Sequence, residues 1–473
     1  MSQSAKIVVV RDGAVWTGGG EPRLLPRYDV IISDGVVAAL EPNYRGRFDE
    51  EIDAGGCVVV PGFINAHVHP GTSPRSRGLA EDAEIAEDGA FYHLTVPVQM
   101  VAGDVLDADD IAAITEWDAV AMLRGGATTI VGEYFGPVDH WIPLVSRLGF
   151  RCDLGTTYPN RLGAIGFMKD GRIASTGAGD VAADFEAALG LHRTHDGCCE
   201  GRLSVHLSPH GPDTVPEDIL RATKTQCEER GIRAHLHLAQ HLAECRNIEA
   251  RYGVSPVRYL NDIGFLGRDV VATHVTYIDD ADINLLAATG AHVVHCPYRK
   301  AKEGVTSPFH EFLERGVNVA IATDSFSHDL MLDLKLACLL GKIRSGSVSR
   351  PSAVQALSCV SHGAATALGR ADLGTLEPGA KGDLAVIALQ SPFAAPVFDP
   401  LRALVYYGTA ADIRHTLVSG RSVVREGAVV GVDMNHLRRR AQDACDRLWR
   451  RAADLGALPS GVRYTGCSCG HCP

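Results

Sequence analysis

No apolar run in the 473 residues approaches the roughly 20 that a membrane-spanning helix needs, which argues against a membrane partner. The first residues, Met1-Ser2-Gln3-Ser4-Ala5-Lys6, lack the charged-then-apolar layout of a secretion signal, so the chain is expected in the cytoplasm. An excess of positive charge is also missing. Lys and Arg total 45 against 57 Asp and Glu, for a net charge of -12. That balance argues against nucleic acid or an anionic membrane surface as the main partner. No Gly-x-Gly-x-x-Gly follows an early strand, which weakens a dinucleotide-binding sheet. The 13 cysteines are odd in number and mostly scattered through apolar segments. They read as reduced thiols, not as a disulfide framework.

What is present is an ordinary soluble composition, 46% hydrophobic and 22% charged, in a chain long enough for one large barrel with a satellite domain. Residues 1–59 read as short strands, such as Ile7–Val10 and Asp29–Ile32, with turns at Asp34-Gly35 and Gly55-Gly56. This region is too small to bury its own core. Residues 373–433, with strands at Asp383–Ile387 and Thr416–Gly420, are the expected partner in a small composite β-sandwich domain. Between them, over 60–372, strands and helices alternate. Asp107 is a candidate N-cap, with Asp110 in the first turn of a helix closed by Gly125-Gly126. Strands are expected at Ala127–Val131, Arg151–Thr156, Leu203–Leu207, Arg233–Leu238, Val270–His274, Ala291–His295 and Asn318–Ala322. Helices are expected at Val181–Leu191, Pro216–Glu229 and Ala281–Ala288. About eight strand–helix units favour an α/β fold built as a distorted (β/α)8 barrel, with a doubly wound sheet as the runner-up. Residues 434–473 form an arginine-rich helix with a solvated face, then a tail, Cys467-Ser468-Cys469-Gly470-His471-Cys472. The tail offers zinc ligands but lacks a second knuckle, and it reads more readily as a loose terminus.

The chemistry centres on Pro61-Gly62-Phe63-Ile64-Asn65-Ala66-His67-Val68-His69-Pro70. Residues two apart in a strand share a face, so His67 and His69 project together as half of a metal site. His235 and His237 repeat the arrangement. His274, His295 and Thr323-Asp324-Ser325 end further apolar strands. Any one of these histidines has a plain reading as a buried, satisfied imidazole. The series would converge at the C-terminal end of a barrel. The polar segment from Gly71 to about Gly89 is a lid, a binding loop or a plain surface loop.

These motifs, with Ser208-Pro209-His210-Gly211-Pro212, His295-Cys296-Pro297 and the return to β structure at Leu373–Val386, resemble the amidohydrolase superfamily. The similar branch holds cytosine and guanine deaminases, adenosylhomocysteine-type deaminases and triazine hydrolases. The resemblance runs from about Ile7 to Gly427. It implies that His67, His69, His237 and Asp324 bind one divalent metal, with zinc ahead of cobalt, iron or manganese. It also implies that His274 orients water and electrophile, and that Asp324 relays the proton. Members with two metals carry a bridging lysine at the end of strand four. Leu203–Ser208 has none, so a mononuclear centre is expected. His210, His295 and His328, with Phe91, Tyr158 and Phe326, are the candidate substrate-binding residues. Tyr92, Phe135 and Phe167 also fall near the expected loop mouths. A homo-oligomer acting on a small molecule is expected.

One position departs from the branch. Its deaminases carry His-x-x-Glu after strand five, and the Glu protonates a ring nitrogen. Here the sequence is His237-Leu238-Ala239-Gln240, and Gln240 cannot shuttle a proton. Glu244 lies nearby but out of register. This shifts the expectation toward hydrolysis of a carbonyl compound: a urea, carbamate, thiocarbamate or amide. Phenylurea hydrolases and the thiocarbamate (molinate) hydrolase are the narrower resemblance. The alternatives are a deaminase or dechlorinase of a nitrogen heterocycle, and a metal-free structural homologue.

Overall fold

Eight parallel strands enclose the centre of the molecule: β1 (Phe63–Val68), β2 (Ala127–Tyr134), β3 (Arg151–Tyr158), β4 (Leu203–Val205), β5 (Ala234–Leu238), β6 (Val270–His274), β7 (His292–His295) and β8 (Val319–Ile321). The computed structural model describes residues 5–79, 96–136, 138, 140–159, 180–458 and 462–466, and the backbone alone of 165–167 and 173–175. Phe91, Tyr92, the side chain of Phe167 and the Cys467–Pro473 tail lie outside the described residues.

Strands β1 to β4 form one ladder and β5 to β8 another. Two single bridges, Leu207 with Ala234 and Val68 with Asp324, close the ring. Every residue of β1, β2, β5 and β6 is buried. Burial on both faces explains why these segments read as nearly continuous apolar runs. Asp107 does cap the helix Ala108–Arg124, in a reciprocal box with Asp110. The helices Val181–His195, Glu217–Arg230 and Asp280–Thr289 follow the expected segments within a few residues.

Both chain ends contribute to one nine-stranded sheet. Leu384–Ala388 pairs antiparallel with Cys57–Pro61. The two-residue repeat of these strands serves two cores at once. Cys57, Val59, Leu384 and Val386 face the sheet's own core, while Val58, Val60, Ala385 and Ile387 join the barrel's core. The β-rich domain therefore borrows the barrel as its second layer. Arg151 of β3 fastens the two, with Nε 2.7 Å from Asp383 Oδ2 and both side chains 4% exposed.

The helix Met434–Asp454 is capped by Asp433 and lays Leu437, Ala441, Ala444, Cys445, Leu448 and Ala452 inward. Its Trp449 Nε1 donates to Arg75 O at 2.8 Å, which ties it to the loop after β1. No helix among the described residues is long and apolar enough to cross a membrane.

Candidate metal centre

At the C-terminal end of the barrel three imidazoles turn the same edge to one point. His69 Nδ1 lies 3.1 Å from Glu133 O, and His237 Nδ1 lies 3.1 Å from His210 O. A carbonyl only accepts, so both rings carry their proton on Nδ1 and leave Nε2 bare. His67 Nδ1 is 3.0 Å from Glu133 Oε1, which orients it alike. The bare Nε2 atoms of His69 and His237 face each other at 3.2 Å. Asp324 Oδ1 stands 3.6 Å from His69 Nε2 and 3.9 Å from His67 Nε2. His67 Nε2 is buried with no hydrogen-bond partner among the described residues. Converging lone pairs and a carboxylate in a water-poor space repel one another unless a cation lies between them. The donor set of His67, His69, His237 and Asp324 therefore fits a divalent metal.

The backbone is bent to deliver these groups. Asp324 has φ 56° and His274 φ 77°, both left-handed. Such residues cost on the order of 1–3 kcal/mol each and persist where their surroundings hold them. Asp324 N donates to His67 O at 3.0 Å. Asn65 Nδ2 donates to Thr323 Oγ1 at 2.8 Å, and Thr323 N returns a bond to Asn65 Oδ1 at 3.0 Å. Ser307 Oγ donates to His274 O at 2.8 Å. His274 Nε2 then sits 3.7 Å from Asp324 Oδ2.

Glu133, at the end of β2, escaped the sequence reading. Its only signal was an acid closing an apolar strand. Burial would raise its carboxyl, but His67 and His237 hold it well below the ordinary range. Ser208 Oγ donates to its second oxygen at 3.1 Å. Burial would lower His67, yet Glu133 raises it. Burial lowers His69, His237 and His274, which favours the neutral, ligating form. Asp324 is pushed up by burial and pulled lower overall by His69, His67 and Arg299.

Gln240 lies in a turn held from both sides. Glu244 accepts from Ala239 N at 2.7 Å and from Gln240 N at 2.8 Å, while Lys300 Nζ donates to Gln240 O at 2.7 Å. The Glu244 carboxyl is thus folded under the turn. Burial and the neighbouring Asp213 push it up to about 8. His210 is at the site, its ring centroid 5.0 Å from His237 and 6.0 Å from Phe135. Phe135 in turn lies 5.8 Å from His69. Phe326 is buried at φ 88°, with Lys302 Nζ 3.5 Å over its ring.

Three expected substrate contacts are corrected. Tyr158 shares a strand face with Cys152 and Leu154, so it points to the helices. It bonds Thr223 Oγ1 at 2.7 Å and packs on Phe185. His295 stacks on Phe309 at 5.2 Å, and burial lowers it to about 3. His328 contacts Thr323 Oγ1 at 3.1 Å through Nδ1 and Ser73 Oγ at 2.7 Å through Nε2, so both nitrogens are taken up within the protein.

The amidohydrolase family model matches residues 58–423. The 5-methylthioadenosine/S-adenosylhomocysteine deaminase of Haloarcula marismortui is 32% identical over 435 residues, covering 90% of this chain and 96% of the relative. The 5'-deoxyadenosine deaminase of Methanosarcina acetivorans is 30% identical over 451 residues, covering 94% and 99%. Among solved structures, a zinc-bound adenosine deaminase from Xanthomonas campestris superposes with TM-score 0.81 at 25% identity, covering 93% of this chain and 98% of that one. The atrazine chlorohydrolase of Arthrobacter aurescens, complexed with zinc, shares the fold with TM-score 0.82 at 23% identity, covering 93% and 100%.

Proposed function

Because the chain belongs to the amidohydrolase family, we propose that this carbon–nitrogen hydrolase removes ammonia from an amino-substituted nitrogen heterocycle of the purine-nucleoside type. The supporting observation is one constellation, His67, His69, His237, His274 and Asp324, in a chain similar over nine-tenths of its length to deaminases of 5'-modified adenosines. A divalent cation held by His67, His69, His237 and Asp324, zinc first, supplies Lewis acidity and lowers the pKa of water toward neutrality. Asp324 takes a proton from the attacking water. It passes that proton to the departing nitrogen as the carbon–nitrogen bond breaks. Neutral His274, beside Asp324 Oδ2, orients the water and the electrophilic carbon. A cavity of about 170 Å³ lined by Leu106, Ile111, Ile114, Phe135 and Trp141 offers an apolar wall for a ring-sized group.

Gln240 favours a second reading. Its amide can donate a hydrogen bond to a ring nitrogen but has no proton to transfer, and Glu244 is committed to backbone N–H groups. Hydrolysis of a urea, carbamate, thiocarbamate or amide carbonyl needs no ring proton, so substrates of the phenylurea and thiocarbamate type belong in the test. The zinc-loaded protein is incubated with 5'-deoxyadenosine-type nucleosides, amino-triazines, N-aryl ureas and thiocarbamates, and products are identified by mass spectrometry. Ammonia from a ring supports the first reading. A substituted amine or thiol, with no ammonia, overturns it in favour of the second.

A further inference from the structure

Below the metal ligands the barrel interior holds a second polar layer. His206 follows β4, and His235 lies in β5 two residues before His237. Their rings stack with centroids 4.1 Å apart, and both are buried. Asp153 of β3 reaches them from the side. Its Oδ2 is 3.3 Å from His206 Nδ1 and 3.7 Å from His235 Nε2, and Ser204 Oγ donates to its Oδ1 at 3.0 Å. Ligand atoms of Glu133, His206 and His235 lie within 4.8 Å of one another. Strand β3 makes room for this layer with a glycine. A Cβ at Gly155 would stand 2.3 Å from His206 Nε2.

His206 Nδ1 and His235 Nε2 meet only Asp153, at ion-pair distance, and none of the four ring nitrogens has an aligned hydrogen bond among the described residues. Buried polar atoms are rarely left so, and a whole cluster of them points to an occupant. Glu133 and Asp153 each bring a carboxylate to the two rings, which favours a cation as the occupant. Ligand atoms on a tetrahedral zinc, with bonds of roughly 2.0–2.2 Å, stand about 3.3–3.6 Å apart, close to the two Asp153 separations. A cavity of about 170 Å³ reaches Asp153 and His206 from the N-terminal end of the barrel. Five arginines line it, and each is engaged elsewhere: Arg151 with Asp383, Arg202 with Glu200, Arg370 with Asp372, Arg230 with the Gln226 amide oxygen and Arg233 with the Arg268 carbonyl.

We propose that Asp153, His206, His235 and Glu133 form a second divalent-cation site, one layer beneath the first and joined to it through the Glu133–His67 contact. The missing lysine of strand four pointed to a single metal. This site uses a different residue of that segment, His206. Four protein ligands leave no open position, so the lower ion is structural and fixes Glu133 behind His67.

The test is a metal count on the full chain, equilibrated with zinc, dialysed and measured by plasma mass spectrometry. About two zinc ions per chain are expected, and about one in His206→Asn and in His235→Asn. One zinc in the parent overturns the proposal, whether or not the variants fold. A doubly substituted tail, Cys469→Ser with Cys472→Ser, should keep two. A fall to one there, with two retained in the histidine variants, assigns the extra ion to the tail and overturns the proposal as well.

Discussion

The two ends of the barrel use charge in opposite ways. At the C-terminal end, carboxylates and imidazoles converge with their polar edges turned to one point. Their far edges are pinned by Glu133 and by the carbonyls of Glu133 and His210. At the N-terminal end, Arg151 and Asp383 are spent on each other, and the pair fastens β3 to the β-rich domain. Buried charge thus marks chemistry where it is arranged around a shared point, and architecture where it is mutually satisfied. Barrel enzymes divide labour between their ends in this way.

Substitutions at the two ends should therefore fail differently. Asp324→Asn should lower turnover by about 100-fold or more, with thermal unfolding little changed, because the proton carrier and an anionic metal ligand are lost while the side chain's shape is kept. Near-normal turnover would rule out the relay. Arg151→Met should do the reverse. Leaving Asp383 buried without its partner should cost about 3–5 kcal/mol in denaturant unfolding, while turnover per folded chain stays near the parent's. An equal loss of turnover per folded chain would erase the distinction between the ends. Glu133→Gln keeps the shape of the C-terminal end but removes the charge behind His67. Zinc affinity should drop about 10–100-fold, as read by competition with a chelator. Asp107→Ala, remote from both ends, should cost about 1 kcal/mol of stability through the lost helix cap, with zinc affinity unchanged.

What was legible in the sequence follows the same division. The ligands stood at the ends of apolar strands, where His67, His69, His237, His274 and Asp324 interrupt runs that otherwise alternate or stay apolar. The cap at Asp107 was legible because its determinants are local, within three residues. Glu133 was not legible, since a single acid at a strand end looks like any loop-entry residue until His67 is placed 3.0 Å away. Tyr158 and His295 misled for a related reason. Proximity to a strand end does not say which face a side chain takes, and both turn to the helices. Glu244 looked like a spare acid. Only the fold shows its carboxylate accepting two backbone N–H groups. The pairing of Arg151 with Asp383 spans 232 positions, a separation no local pattern reveals.

The most direct test of the central claim is diffraction from crystals grown with zinc, collected on both sides of the zinc absorption edge. An anomalous peak is expected within bonding distance of His67 Nε2, His69 Nε2, His237 Nε2 and an Asp324 oxygen. No peak among those four atoms, in crystals whose protein carries stoichiometric zinc, would contradict that claim.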